Sequence, residues 1–195
     1  MFRYFAVHKP YGYLSQFTGE PNDLTLQHLV DASGIKDFPK DAYPVGRLDK
    51  DSEGLLVITN DNKLKTNLLD PNSKYFKTYW VQVEGSPKES DLELIRKGGI
   101  VIKHEGRPHK CLPAKARLLH DVQIAERNPP VRFRASIPTT WIEVQLREGK
   151  NRQVRKMTAA LGFPTLRLIR TGIQQLTIAE FPTGTVKEID GKALL

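Results

Sequence analysis

Apolar positions along this chain fall in short blocks whose period changes from block to block. Tyr4-Phe5-Ala6-Val7 reads as a first strand, stopped by Lys9-Pro10 and the Tyr11-Gly12-Tyr13 turn. After a polar loop, Leu26, Leu29 and Val30 share one face of a helix expected over residues 24–32. Leu55-Leu56-Val57-Ile58-Thr59 is a continuous apolar run, the pattern of a buried strand. Asn60 or Asp61 can cap a following helix that carries Leu64, Leu68 and Leu69 and ends before Pro71.

Tyr79-Trp80-Val81-Gln82-Val83 reads as a strand ended by Gly85 and Pro87, and Ser90 can cap a helix that runs through Arg96 to a stop at Gly98-Gly99. Further strands are expected over residues 100–103, 114–119 and 141–146. A helix follows over 151–161 and ends at Gly162, with closing strands over 166–170 and 176–179. The stretch 125–140 is rich in Arg and Pro, lacks periodicity and reads as a long basic loop. Strands joined both by tight turns and by helices imply an α+β fold on a mixed, largely antiparallel sheet with flanking helices. No Pro-, Gly- or Ser-rich linker divides residues 1–195, so one domain, or two closely joined subdomains, is expected.

Composition narrows the function. The chain has 195 residues with 30 Lys and Arg against 22 Asp and Glu, a net charge of +8. Such a balance suits a polyanionic partner, although a solvated basic surface explains the charge equally well. A single cysteine, Cys111, rules out an intramolecular disulfide and fits a reducing compartment. The N-terminus has no signal-peptide pattern, and no apolar run approaches the roughly 20 residues that span a bilayer. A cytoplasmic protein without membrane attachment is expected, and nothing calls for more than a monomer.

The densest chemical signal is Gly46-Arg47-Leu48-Asp49-Lys50-Asp51-Ser52-Glu53-Gly54. Asp49, Asp51 and Gly54 fit positions of a calcium loop, but Asn60 stands where a bidentate Glu is needed, and apolar strand replaces the incoming helix. A glycosidase pair is a weaker reading, because Asp49 and Asp51 are too close in sequence to guarantee opposite sides of a sugar and no other second carboxylate stands out. A plain acidic turn remains open. In the helix over 151–161, at about 100° per residue, Arg152, Arg155, Lys156 and Ala159 share one face. Val154, Met157 and Leu161 take the other, and Lys150 sits near the free N–H groups of the helix start, where phosphate would bind. His104, His109 and Cys111 match no zinc spacing, Cys111 reads as an ordinary buried thiol, and no Gly-rich phosphate loop or dinucleotide motif is present. No metal is expected.

Four segments together resemble the pseudouridine synthase family that modifies ribosomal RNA, whose branches are lettered A for the small ribosomal subunit and B, E and F for the large one. They are Lys9-Pro10-Tyr11-Gly12-Tyr13-Leu14-Ser15, the run from Gly46 through Asp61, Lys77-Thr78-Tyr79-Trp80-Val81-Gln82-Val83, and Glu148-Gly149-Lys150-Asn151-Arg152-Gln153-Val154-Arg155-Lys156-Met157. The chain starts directly at the Lys-Pro motif without a preceding RNA-binding module, which points to the E branch. Asn62 replaces a glycine usual at that position.

The resemblance implies isomerisation of a uridine within 23S large-subunit rRNA, or its precursor, near the peptidyl-transferase centre, without a cofactor. Asp49, ionised at neutral pH from its reference pKa, would be the catalytic carboxylate. It would attack the anomeric carbon or remove a ribose proton; the sequence leaves both routes open. The resemblance assigns Arg155 to pair with that carboxylate, Tyr79 to stack on the uracil, and Arg47 to fill the space left by base flipping. Lys150, Arg152 and the basic loop would hold phosphates. A non-catalytic RNA-binding or ribosome-assembly protein would also explain the charge, but it gives Asp49 no reason to sit beside Arg47.

Overall fold

The computed structural model describes residues 1–70, 72 and 75–194. The chain divides into two compact units, Met1–Lys77 with Ile169–Leu195, and Thr78–Leu168.

In the first unit, β1 (Tyr4–Lys9) pairs antiparallel with β3 (Glu53–Thr59) on one side and with β11 (Val186–Ile189) on the other. The two-residue β2 (Tyr43–Pro44) also pairs with β3, while β10 (Leu176–Thr177) pairs with β9 (Thr165–Ile173). β3 runs parallel to β9, in the register Glu53↔Ile169 and Gly54↔Arg170. All seven residues of β3 are buried, which explains its unbroken apolar run. Leu55 and Val57 join Ala6, Leu64, Leu68, Ile173 and Phe181 in one core cluster. Leu56 and Ile58 point the other way, as does Phe5, whose ring lies 4.6 Å from that of Phe38.

Two helices belong to this unit. α1 (Leu26–Ser33) starts two residues later than the pattern suggests. Thr25 is its cap, with the Thr25 N–H donating to His28 Nδ1 at 3.1 Å, and the expected Leu26, Leu29 and Val30 are its buried face. α2 (Asn62–Leu69) is capped by Asp61, whose carboxylate accepts from the Leu64 N–H at 3.0 Å. Leu64 and Leu68 are buried, and Leu69 is exposed. Pro71, the expected stop, lies outside the described residues.

In the second unit, β4 (Lys77–Glu84) neighbours β8 (Thr139–Leu146), which pairs antiparallel with β7 (Lys115–Leu119). Helix α3 (Glu89–Lys97) packs on β7. It begins before Ser90, which therefore lies inside the helix. The cap is Lys88, whose N–H donates to the Asp91 carboxylate at 2.7 Å, so an acidic residue in the first turn does what the sequence assigns to a hydroxyl. A separate hairpin, β5 (Val101–His104) with β6 (Arg107–Lys110), packs through β5 on α4 (Gln153–Ala160). Residues 120–138 carry no helix or strand, so the basic loop is confirmed and slightly shorter at its far end.

The fold is thus α+β with mixed, largely antiparallel pairing, as expected. The expected strand over 176–179 is shorter: β10 ends at Thr177, and Ile178–Glu180 forms a 3-10 turn. Among the described residues no helix is long and apolar enough to cross a membrane.

Candidate active site

In the first unit the loop entering β3 is fixed by hydrogen bonds to the segment that follows β1. Ser15 Oγ donates to the Leu48 carbonyl at 2.7 Å and accepts from the Leu48 N–H at 3.0 Å, while the Gly12 N–H donates to the Lys50 carbonyl at 2.8 Å. The Asp49 carbonyl accepts from the Ser52 N–H at 3.0 Å, closing a turn. Asp49 therefore stands on backbone held on both sides. Its side chain is half-buried, Arg47 is exposed, and the Leu48 side chain between them is buried as an anchor.

Beneath this turn the charge is dense. Lys9 is fully buried, and its ammonium donates to the Pro10 carbonyl at 2.9 Å and the Tyr13 carbonyl at 2.7 Å. Burial lowers its pKa to about 8; the carboxylates of Glu53, Asp51 and Asp49 pull it back up, and Arg170 pushes it down. Lys77 is also lowered to about 8, by burial and then by Arg170. Arg170 is itself buried and donates from Nε to the Leu55 carbonyl at 2.6 Å. Gly54 lets β9 approach: a Cβ there would lie 2.3 Å from the Arg170 carbonyl oxygen.

In the second unit, Tyr79 lies on the buried face of β4, whose residues alternate between buried and half-buried. Trp80 and Trp141 are half-buried, and Trp80 Nε1 donates to Glu143 at 3.3 Å. At the start of α4 the expected basic ridge is corrected. Arg152 lies outside the helix, as its N-terminal cap in the left-handed conformation with φ 52° and ψ 31°. Arg155 and Lys156 are half-buried on α4, and Val154 and Met157 are buried opposite, as expected; Leu161 is the half-buried C-terminal cap. Lys150 is half-buried and Arg152 exposed.

Glu148, which opens this motif, is buried and accepts three hydrogen bonds: from His109 Nε2 at 2.7 Å, the Leu112 N–H at 2.9 Å and Gln153 Nε2 at 2.7 Å. Burial alone would push its carboxyl up, but these donors outweigh it and hold the pKa below the usual carboxylate range. His109 is thus the partner of a carboxylate. Burial, then the nearby Glu148, pushes the Cys111 thiol up, away from the reactive thiolate. Among the described residues no three His, Cys, Asp or Glu side chains gather as metal ligands would.

Of the six residues singled out from the sequence, Arg47 and Asp49 share the first unit, and Tyr79, Lys150, Arg152 and Arg155 belong to the second. Ser15, Lys77, Arg170, Glu148 and His109 carry local roles that no periodicity reveals. Ser15, Lys77 and Glu148 are signalled by their place inside the quoted motifs, whereas Arg170 and His109 lie outside them.

Comparison with known proteins shows the family. The family model described as RNA pseudouridylate synthase matches residues 3–160, and the chain belongs to that family of enzymes. Among individual proteins it is 50% identical over 181 residues to the ribosomal large subunit pseudouridine synthase E of Vibrio parahaemolyticus, covering 93% of this chain and 71% of that one. It is 43% identical over 191 residues to the enzyme of the same name from Xanthomonas campestris pv. campestris, covering 96% of both chains. A crystal structure of a pseudouridylate synthase superposes with a TM-score of 0.75 at 22% identity, covering 100% of this chain and 73% of the other, and supports the fold.

Proposed function

We propose that this chain converts one uridine of large-subunit ribosomal RNA, 23S rRNA or its precursor, into pseudouridine near the peptidyl-transferase centre. It works as a cytoplasmic monomer and as a single catalytic domain comprising both units. The reaction breaks the bond between the ribose C1′ and uracil N1, turns the uracil, and joins C1′ to C5. The proton lost from C5 balances the one gained at N1, so mass is unchanged and no cofactor is consumed.

The observation that carries this reading is the Asp49 turn. A half-buried carboxylate is held by Ser15 and Gly12 through its neighbours' backbone, and the buried ammonium of Lys9 feels its charge together with those of Asp51 and Glu53. Such an arrangement keeps one charged group in a fixed place, which both routes through Asp49 require. Tyr79 and Arg155 take part in turnover, as the family motifs that carry them imply. Arg47, exposed beside Asp49, takes the space that the flipped base vacates. Lys150, Arg152 and the basic loop hold phosphates.

The substrate is tested by carbodiimide mapping of pseudouridine in total rRNA from cells lacking the gene. One large-subunit pseudouridine is expected to vanish and to return with wild-type protein but not with Asp49→Asn. An unchanged large-subunit map would refute the assignment.

A further inference from the structure

The hydrogen bonds around Glu148 form a relay. Because an ionised carboxylate only accepts, the 2.7 Å contact with His109 places the ring hydrogen on Nε2. Gln153, which donates to the same carboxylate, passes the constraint on: its Oε1 accepts the Lys150 N–H at 3.1 Å, and its own N–H donates to the Lys150 carbonyl at 3.0 Å. Between Lys150 and Gln153 the chain has only Asn151 and Arg152. Arg152 sits there in the left-handed region, which a residue with a Cβ keeps only where its surroundings over-determine it. The β5–β6 hairpin that supplies His109 is tied to α4 a second time, by Lys156 Nζ donating to the Lys103 carbonyl at 2.9 Å.

We propose that His109 is a positioning residue for RNA binding. Through Glu148 and Gln153 it locks the left-handed Arg152 turn, so that Lys150 and Arg152 present their cations to RNA phosphates in one fixed arrangement. This rests on the reading of the chain as an RNA-modifying enzyme. A turn fixed before RNA arrives does not have to be ordered on binding, so the relay contributes affinity without touching the reacting atoms.

The test uses the full chain and a large-subunit rRNA transcript. His109→Ala is expected to raise KM roughly tenfold and to leave kcat within about twofold. His109→Gln, whose amide N–H reaches about as far as Nε2, restores most of the affinity. Gln153→Met, which keeps the length but removes both amide contacts, reproduces the His109→Ala effect and serves where that variant does not fold. In an Arg152→Gly background the left-handed turn needs no support, so adding His109→Ala changes KM by less than about twofold.

Amide hydrogen exchange of residues 150–153 in RNA-free protein quickens in His109→Ala and recovers in His109→Gln. An unchanged KM and unchanged exchange in His109→Ala would overturn the proposal, as would an undiminished effect in the Arg152→Gly background. A wild-type chain that makes no pseudouridine at all would instead remove the functional reading, and the exchange data alone would then decide whether His109 holds the turn.

Discussion

The Ser15 hydroxyl closes a two-way hydrogen-bonded clasp on Leu48, donating to its carbonyl at 2.7 Å and accepting from its N–H at 3.0 Å. Leu48 immediately precedes Asp49, so a residue 33 positions from Leu48 sets where the Asp49 turn stands. Ser15→Ala leaves a buried N–H and a buried carbonyl without their partner, which costs about 1–3 kcal/mol of stability. A displaced Asp49 lowers kcat roughly 10- to 100-fold. Urea unfolding and single-turnover kinetics check the two effects separately. Lost stability with intact kcat would reduce the clasp to packing.

Asp49→Asn keeps the shape of the side chain and removes its charge. Isomerisation is expected to fall below detection while RNA affinity stays within a few-fold, measured by pseudouridine content and filter binding on one preparation. Asp51→Asn, on the same loop, should retain most activity. Comparable losses at both positions would revive a paired-carboxylate mechanism.

The turn that carries Asp49 was legible in the sequence because the loop is too polar to be core and precedes an unmistakable apolar strand. The start of α4 was less so: helical periodicity places Arg152 on the ridge with Arg155, and no periodicity registers a single residue turning left-handed. Strands β6 and β11 escaped for a similar reason. Arg107-Pro108-His109-Lys110 offers no alternation of apolar and polar residues, and Val186-Lys187-Glu188-Ile189 is too short for its pattern to stand out. The burial of Glu148 was invisible because two of its donors, His109 and the Leu112 N–H, are brought near by the fold, and that of Lys9 because its partners are the backbone carbonyls of Pro10 and Tyr13, which no residue type marks.

Lys9 makes stability depend on pH in a direction that can be fixed in advance. Its pKa is about 8 in the folded chain against 10.5 as the ordinary value, so between these limits the unfolded chain binds more protons. Stability contributed at this site therefore rises as pH climbs from about 8 to 10.5, and it is flat below 8, where both states hold the proton. The stability difference between wild type and Lys9→Met should shift in favour of wild type across that window, by up to about 3 kcal/mol. Urea unfolding at four pH values between 7 and 10.5 measures it. A difference that stays level with pH would mean that the folded lysine titrates normally.

Lys150 and Arg155 separate binding from chemistry. Lys150→Ala should weaken RNA affinity and reduce the slope of log affinity against log salt by roughly 0.7–0.9, the mark of one lost phosphate contact. Arg155→Ala should lower turnover at saturating RNA with a smaller change in slope, because the role proposed for it is in turnover and not in holding phosphate. Equal slope changes with turnover untouched would make Arg155 a second phosphate ligand.

Two motif glycines should behave in opposite ways. At Gly54, φ is +108°, and an added Cβ would lie 2.3 Å from the Arg170 carbonyl oxygen and 2.7 Å from its nitrogen. Both obstacles are backbone in a paired strand, so neither can swing aside. Gly54→Ala must part β3 from β9 or distort the strand that follows Asp49, and a loss beyond about 4 kcal/mol is expected, enough to leave little folded protein. At Gly149 nothing lies within 4 Å of the same added atom. Gly149→Ala should keep stability within about 0.5 kcal/mol of wild type. Thermal unfolding of the two variants decides the matter: a stable Gly54→Ala would show that the β3–β9 approach has slack. A loss of RNA affinity in a fully stable Gly149→Ala would then report how closely the RNA backbone passes over the start of α4.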